Sequence, residues 1–428
     1  MPEIPTAPGR LPVLGHAHLV TGDPRTFLLK LPADEPIVRV YLGPKPSYLL
    51  TTPELIRDVS LGRAGSFHRE ALREAISDLV SGATNVLSGD EHDLRRRMIA
   101  PVFRQGRLTE YAQTVATIAD EWSASLCPGP CGELRIRVHD LVTRTMFATL
   151  FQSDTGGGEI GFIRERVPWL LSEVIIRGAL PAPLRRLRFR ADRRFAGQSR
   201  EVRAAMKTLI RQRRDHPDRG DMLSALLHHV DAETGATLSD DETADELLLA
   251  LAAGIGSQSS IFSWLIYEVA RAPEIAERVY AESDSATGTQ RPFLRNVLTE
   301  TLRVWAPWIS LVTSDGPGRI GPVDFPDGTN ILFSPYLIHH RDTYFPDAAV
   351  FDPDRWDGDG GDRQAMMPFG VGQRHCPGSQ FALLSLTVQA IALFSRWRVT
   401  LPADFEVKAQ GKDFVLSPAA LPVTLVPR

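Results

Sequence analysis

The segment Phe369-Gly-Val-Gly-Gln-Arg-His-Cys-Pro-Gly378 is a glycine-rich turn that delivers one cysteine just ahead of a helix predicted to run to about Phe394. A buried cysteine is ordinarily a small hydrophobe. In this setting the glycines let the backbone wrap around the sulfur, the following N–H groups can donate to it, and Arg374 brings positive charge two residues away. All three favour thiolate over thiol, and the thiolate is the form that attacks electrophiles and ligates metals. The other cysteines, Cys127 and Cys131, flank Pro-Gly-Pro without a histidine nearby and read as a surface loop rather than a metal site. Three unevenly placed cysteines make no disulfide framework, so a reducing, cytoplasmic setting is expected.

Two further constellations could serve such a centre. Glu300-Thr-Leu-Arg303 places opposite charges three apart on one helical face, and Phe351-Asp-Pro-Asp-Arg-Trp356 follows it. His92 and Arg96 stand one helical turn apart within a basic helix, able to reach one anionic group together. Taken singly, each pattern is equally that of a solvated helix face.

The elements that must position these residues are mostly helices. Short strands and turns occupy about 35–55; apolar residues then recur at helical spacing through about 56–313, and the cysteine turn, a helix over about 378–394 and closing strands follow. Without repeats or an evident linker, 1–428 reads as a single mainly α domain with a minor β-sheet region. A capping box, Ser239-Asp-Asp-Glu242, starts a long central helix that should reach about Ala270. Gly254 and Gly256 sit in its middle at a cost of roughly 1 kcal/mol each relative to alanine. They imply either close packing against another helix or a widened turn beside a ligand. Leu247 to Tyr267 is uncharged and about as long as a membrane span, but its glycine-rich polar middle argues for burial inside the protein. The N-terminus has prolines and an acid where an export signal needs a basic start and an apolar run, so neither export nor an anchor is expected. A net charge of −4 gives no reason to expect nucleic acid.

The cysteine segment resembles the haem-binding loop of the cytochrome P450 family, F-x-x-G-x-R-x-C-x-G, with every specified position filled. Glu300-x-x-Arg303 and His92-x-x-x-Arg96 resemble two further family motifs, and their order along the chain fits as well. The resemblance implies the cytochrome P450 fold and haem b, with Cys376 as the axial iron ligand. It implies that Arg374, His92 and Arg96 bind propionates, that Phe369 and Gly370 pack at the sulfur, and that Glu300, Arg303 and Arg355 form a structural network. His339 and His340 read as structural. Substrate-facing positions would be Val80, Thr84 and Val86, Leu171 and Ile175 in the roof, Leu249, Ala250 and Ala253 on the central helix, Ile309 to Leu311, and Phe414-Val415. Being mostly apolar, these suit a terpenoid, a polyketide or a similar metabolite of natural-product biosynthesis.

The implied reaction is oxygen insertion by a haem-thiolate monooxygenase, with electrons passing from NAD(P)H through a reductase and a separate ferredoxin or flavodoxin to a protein expected to be a monomer. Arg95, Arg97 and Arg104 would offer the donor a positive face. The cluster Arg185, Arg186, Arg188, Arg190, Arg193 and Arg194 reads as a solvated helix face, or as a roof surface meeting a carrier protein or an acidic substrate group.

Two departures stand out. Where many members have A/G-G-x-D/E-T-T/S, this chain has Ala253-Gly-Ile-Gly-Ser-Gln258, so Gly256 replaces the acid and Ser257 the threonine. Proton delivery then falls to water or a substrate hydroxyl, or in part to Gln258 or Ser259; otherwise the haem performs coupling, ring formation, desaturation or peroxide-driven oxidation. A haem-binding protein without turnover is a third reading. Second, Val312-Thr-Ser-Asp315 lacks the arginine that often binds the second propionate.

Overall fold

The computed structural model describes residues 4–428 except 33, 43–44, 153–156, 180–188, 286–290, 359 and 411–414. Its axis is the central helix Asp240–Arg271, 32 residues and so about 48 Å long. Ser239 Oγ accepts from the Glu242 N–H while the Glu242 carboxylate accepts from the Ser239 N–H, closing the anticipated capping box. At the other end Ala272 turns extended ahead of Pro273, as a residue preceding proline must. The helix is long and apolar enough to cross a membrane, yet 61 % of its most apolar window is buried within the protein. Leu134–Phe151, Phe189–Arg214, Pro292–Val304 and Ser379–Phe394 all pack against it. It remains α-helical through 254–257, so the two glycines mark no widened turn.

The larger sheet runs in the order Ile37–Tyr41, Pro46–Leu50, Asn330–Phe333, Ser310–Asp315, Ser66–His68. The N-terminal sheet anticipated over 35–55 is thus completed by strands from 310–333, through parallel pairing of Leu49 with Leu332 and antiparallel pairing of Leu311 with Leu332. A second sheet orders Gly129–Cys131, Val423–Pro427 and Trp397–Thr400. Cys131 therefore ends an edge strand rather than lying in a plain loop, and both it and Cys127 are free thiols. The helices share one hydrophobic core, while the sheet encloses two smaller ones around Ile331 and Leu332.

Candidate active site

The cysteine is held by a backbone cage. Gly370 and Gly372 take positive φ (+72° and +66°), the region that favours glycine. The Cys376 N–H donates to the Phe369 carbonyl at 2.9 Å, and the Gly370 N–H to the Met367 carbonyl at 3.1 Å. A Cβ on Gly372 would stand 2.5 Å from the Ser60 carbonyl oxygen, at the C-terminal end of helix Pro53–Ser60. Burial pushes the Cys376 thiol up, opposed by the Gly378 N–H and by Arg96. The balance differs from the expected thiolate: the nearby cation acting on sulfur is Arg96, not Arg374. A bound metal cation reverses it, because a coordinating thiol is deprotonated outright.

Behind this loop lies a buried ion network. Arg303 and Glu300 are both fully inaccessible. Arg303 spends all five N–H donors, two on the Glu300 carboxylate (2.7 and 2.9 Å) and three on the carbonyls of His339, Ala348 and Val350. Glu300 also accepts from Trp356 Nε1 and the Asp352 N–H, with Arg355 Nε at 3.5 Å. His339 carries the network to the cysteine loop: its Nδ1 faces the Arg303 carbonyl at 3.1 Å, and its Nε2 accepts from the Met367 N–H at 2.9 Å. That pattern fixes a neutral imidazole, whose pKa burial pushes down to about 3.

A second set of charges has no such closure. Arg374 donates only to the Thr84 carbonyl and Ser88 Oγ, and burial together with Arg69 and Arg96 lowers it to about 10. His92 is buried beside Asp93 and pushed down first by burial, then by Arg374 and Arg96. Arg96 has no hydrogen-bond or ion-pair partner among the described residues. Arg69 is lowered by burial, and its Nε has no hydrogen-bond partner. Three arginines and a histidine with one exposed carboxylate among them match a doubly anionic partner, such as the two propionates of a haem.

The central helix offers an open face. Ala253 is exposed in mid-helix, and Leu249, Ala250, Gly256 and Ser257, at matching helical spacing, are half-buried, whereas Leu251, Ile255 and Gln258 are buried. The helix that follows the cysteine packs against this same helix. Small and apolar side chains thus line the stretch of this helix that packing leaves uncovered.

The polar residues there behave differently from expectation. Ser257 Oγ donates to the Ala253 carbonyl at 2.7 Å, so its proton is engaged within the helix. Gln258 turns to Met146, with its Nε2 at 3.4 Å from the sulfur, and Ser259 Oγ donates to the Ile255 carbonyl. Neither side chain is directed to the open face. Gly254 faces Met146 too, where an added Cβ would come within 2.6 Å of its methyl carbon; close helix packing is the reason for this glycine.

Two acids unremarked in the sequence moor the neighbouring loop. Asp245 accepts from the Gly82 N–H (2.7 Å), Ser81 Oγ (3.0 Å) and Arg203, and Glu246 accepts from the N–H and hydroxyl of Thr84, both at 2.8 Å. Thr84 is thereby spent on structure, and Val80 and Val86 are buried beside it. Arg95 joins this interior network through Glu242 (2.5 Å) and Glu246 (3.3 Å), while Arg97 pairs with Asp231 and Glu233. Of the three arginines expected on a donor-facing surface, Arg104 alone is exposed, next to Phe103, whose ring lies against Gly378. Leu171, Ile309, Leu311 and Val415 are half-buried. Ile175 belongs to helix Gly158–Ala179 but its side chain is outside the description, as are Phe414, Arg185, Arg186 and Arg188; Arg190, Arg193 and Arg194 are exposed.

The family model described as Cytochrome P450 matches residues 5–424. The chain is 32 % identical to the Cyclooctat-9-en-7-ol 5-monooxygenase of Streptomyces melanosporofaciens, over 92 % of its own length and 89 % of that protein. It is 30 % identical to the Pentalenene oxygenase of Streptomyces avermitilis, over 99 % and 97 %. The crystal structure of the cytochrome P450DA heme domain superposes with a TM-score of 0.83 at 21 % identity, covering 99 % of this chain and 98 % of that one.

Proposed function

The chain belongs to the cytochrome P450 family of oxidoreductases, and we propose that it hydroxylates an alicyclic, terpenoid-like metabolite, with haem b ligated by Cys376. Bound haem would supply the redox centre at which O2 is reduced and one oxygen atom enters a C–H bond. The observation that carries the reading is the convergence of a caged cysteine, an uncompensated cation cluster and an open apolar helix face.

Each part has its task. The Gly378 N–H and Arg96 stabilise negative charge on the Cys376 sulfur. Arg374, His92 and Arg96 orient the propionates. Leu249, Ala250 and Ala253, with Leu171, Ile309 and Leu311, exclude water and hold an apolar skeleton. The names of the two Streptomyces relatives, a pentalenene oxygenase and a monooxygenase of a cyclic alcohol, agree with that substrate class. With the Ser257 proton engaged and Gln258 turned away, protons reach this face through water or a substrate hydroxyl. Electrons come from NAD(P)H by way of a separate ferredoxin or flavodoxin in the cytoplasm, with exposed Arg104 among the groups meeting it.

Dithionite-reduced protein under carbon monoxide should show the red-shifted Soret band of a thiolate-ligated carbonyl, absent in Cys376→Ala. No haem uptake, or the same band in the variant, would defeat the assignment. The lack of a free acid or hydroxyl donor on the helix face favours a second outcome, coupling, ring formation or desaturation. Turnover under labelled O2 separates the two, since hydroxylation carries the label into product.

A further inference from the structure

Arg69 stands just past the edge strand Ser66–His68, which pairs antiparallel with Ser310–Asp315 through Phe67–Ser314 and His68–Thr313. Continuing that register brings Arg69 alongside Val312, on the strand that lacks the arginine the family resemblance leads one to expect. Its side chain is half-buried with an inaccessible Nε that has no hydrogen-bond partner, it lies near enough to Arg374 for the two charges to repel, and no carboxylate among the described residues pairs with it. Partial desolvation of a guanidinium with no anion beside it is unfavourable, so a bare structural role does not account for it.

We infer that Arg69 binds the second propionate of the haem, taking over from the neighbouring strand the contact that Ser310–Asp315 cannot make. The inference rests on the haem reading above. Arg374, His92 and Arg96 approach the carboxylates from the cysteine loop and the basic helix, and Arg69 adds a cation from the sheet. The fork geometry of a guanidinium suits a carboxylate held in two parallel bonds.

The test compares wild type, Arg69→Ala and Arg69→Lys as loaded protein, by the rate of haem transfer to excess apomyoglobin and by the midpoint potential. Loss of a charge-assisted bond should speed transfer in Arg69→Ala by roughly ten- to a hundredfold and lower the potential, because removing a cation favours the ferric state; Arg69→Lys should fall between. Haem-free Arg69→Ala should melt no lower than wild type, which separates the effect from misfolding. Unchanged transfer and potential in Arg69→Ala would overturn the inference. So would an effect confined to weaker binding of a carboxylate-bearing substrate analogue, which would assign Arg69 to substrate. Wild type that takes up no haem would instead overturn the Cys376 reading, and this inference with it.

Discussion

Two clusters of charge, one buried and one half-buried, flank the cysteine loop and are built on opposite plans. Around Arg303 every guanidinium N–H has a partner and the Glu300 carboxylate accepts on both oxygens. Around Arg374 three arginines and His92 face one exposed carboxylate, Asp93; Arg96 and Arg69 have no counter-ion among the described residues, and burial works against Arg374 and Arg69. A closed network can only hold the protein together. An open one raises the free energy of the chain by itself and is lowered by an anion, so its stability depends on what binds. That difference divides scaffold from site without reference to any relative.

The widest gap should appear between single deletions. Arg303→Ala leaves the buried Glu300 with only the more distant Arg355 as a cation and should cost about 3–5 kcal/mol, read as a fall in urea midpoint or loss of folded protein. Acid should act on the same closed network. The unfolded chain protonates His339 near 6.5, the folded chain only near 3, so between these values the unfolded state binds more protons and stability falls as pH falls. The drop attributable to His339 across that window is roughly 4 kcal/mol, and His339→Gln should show a dependence shallower by one proton in urea titrations at pH 7, 5.5 and 4.5.

On the open side, Arg96→Met in haem-free protein should leave stability unchanged or raise it by about 1 kcal/mol, while weakening haem retention. A loss of several kcal/mol in the haem-free variant would erase the distinction between the clusters. The smallest effect belongs to a site satisfied by packing alone. Gly254→Ala gains about 1 kcal/mol of helix propensity and must displace only the flexible end of Met146, so thermal melting should move by a few degrees at most.

How far the sequence reveals this molecule depends on the reach of each interaction. The cysteine loop, Glu300–Arg303 and the Ser239 cap are legible because their partners lie within a few residues. Asp245 and Glu246 look in the sequence like ordinary acids at the start of a helix, since the groups they hold, Ser81 to Thr84, lie more than 160 residues earlier. Arg69 is silent for the same reason: its significance comes from a strand pairing across some 245 residues and from an inaccessible, unpartnered Nε. Ser257 and Gln258 could be located but not oriented, because a helix position fixes the direction of a side chain and leaves open whether its hydrogen bond goes back to the preceding turn.

The close approach of Gly372 to the Ser60 carbonyl has a practical consequence for recombination. The cysteine loop is not a cassette that can be exchanged with that of a relative, because its backbone is seated on the end of a helix more than 300 residues upstream. Chimeras that move the loop should carry Pro53–Ser60 with it, and a crossover between the two segments joins surfaces that were never fitted to each other.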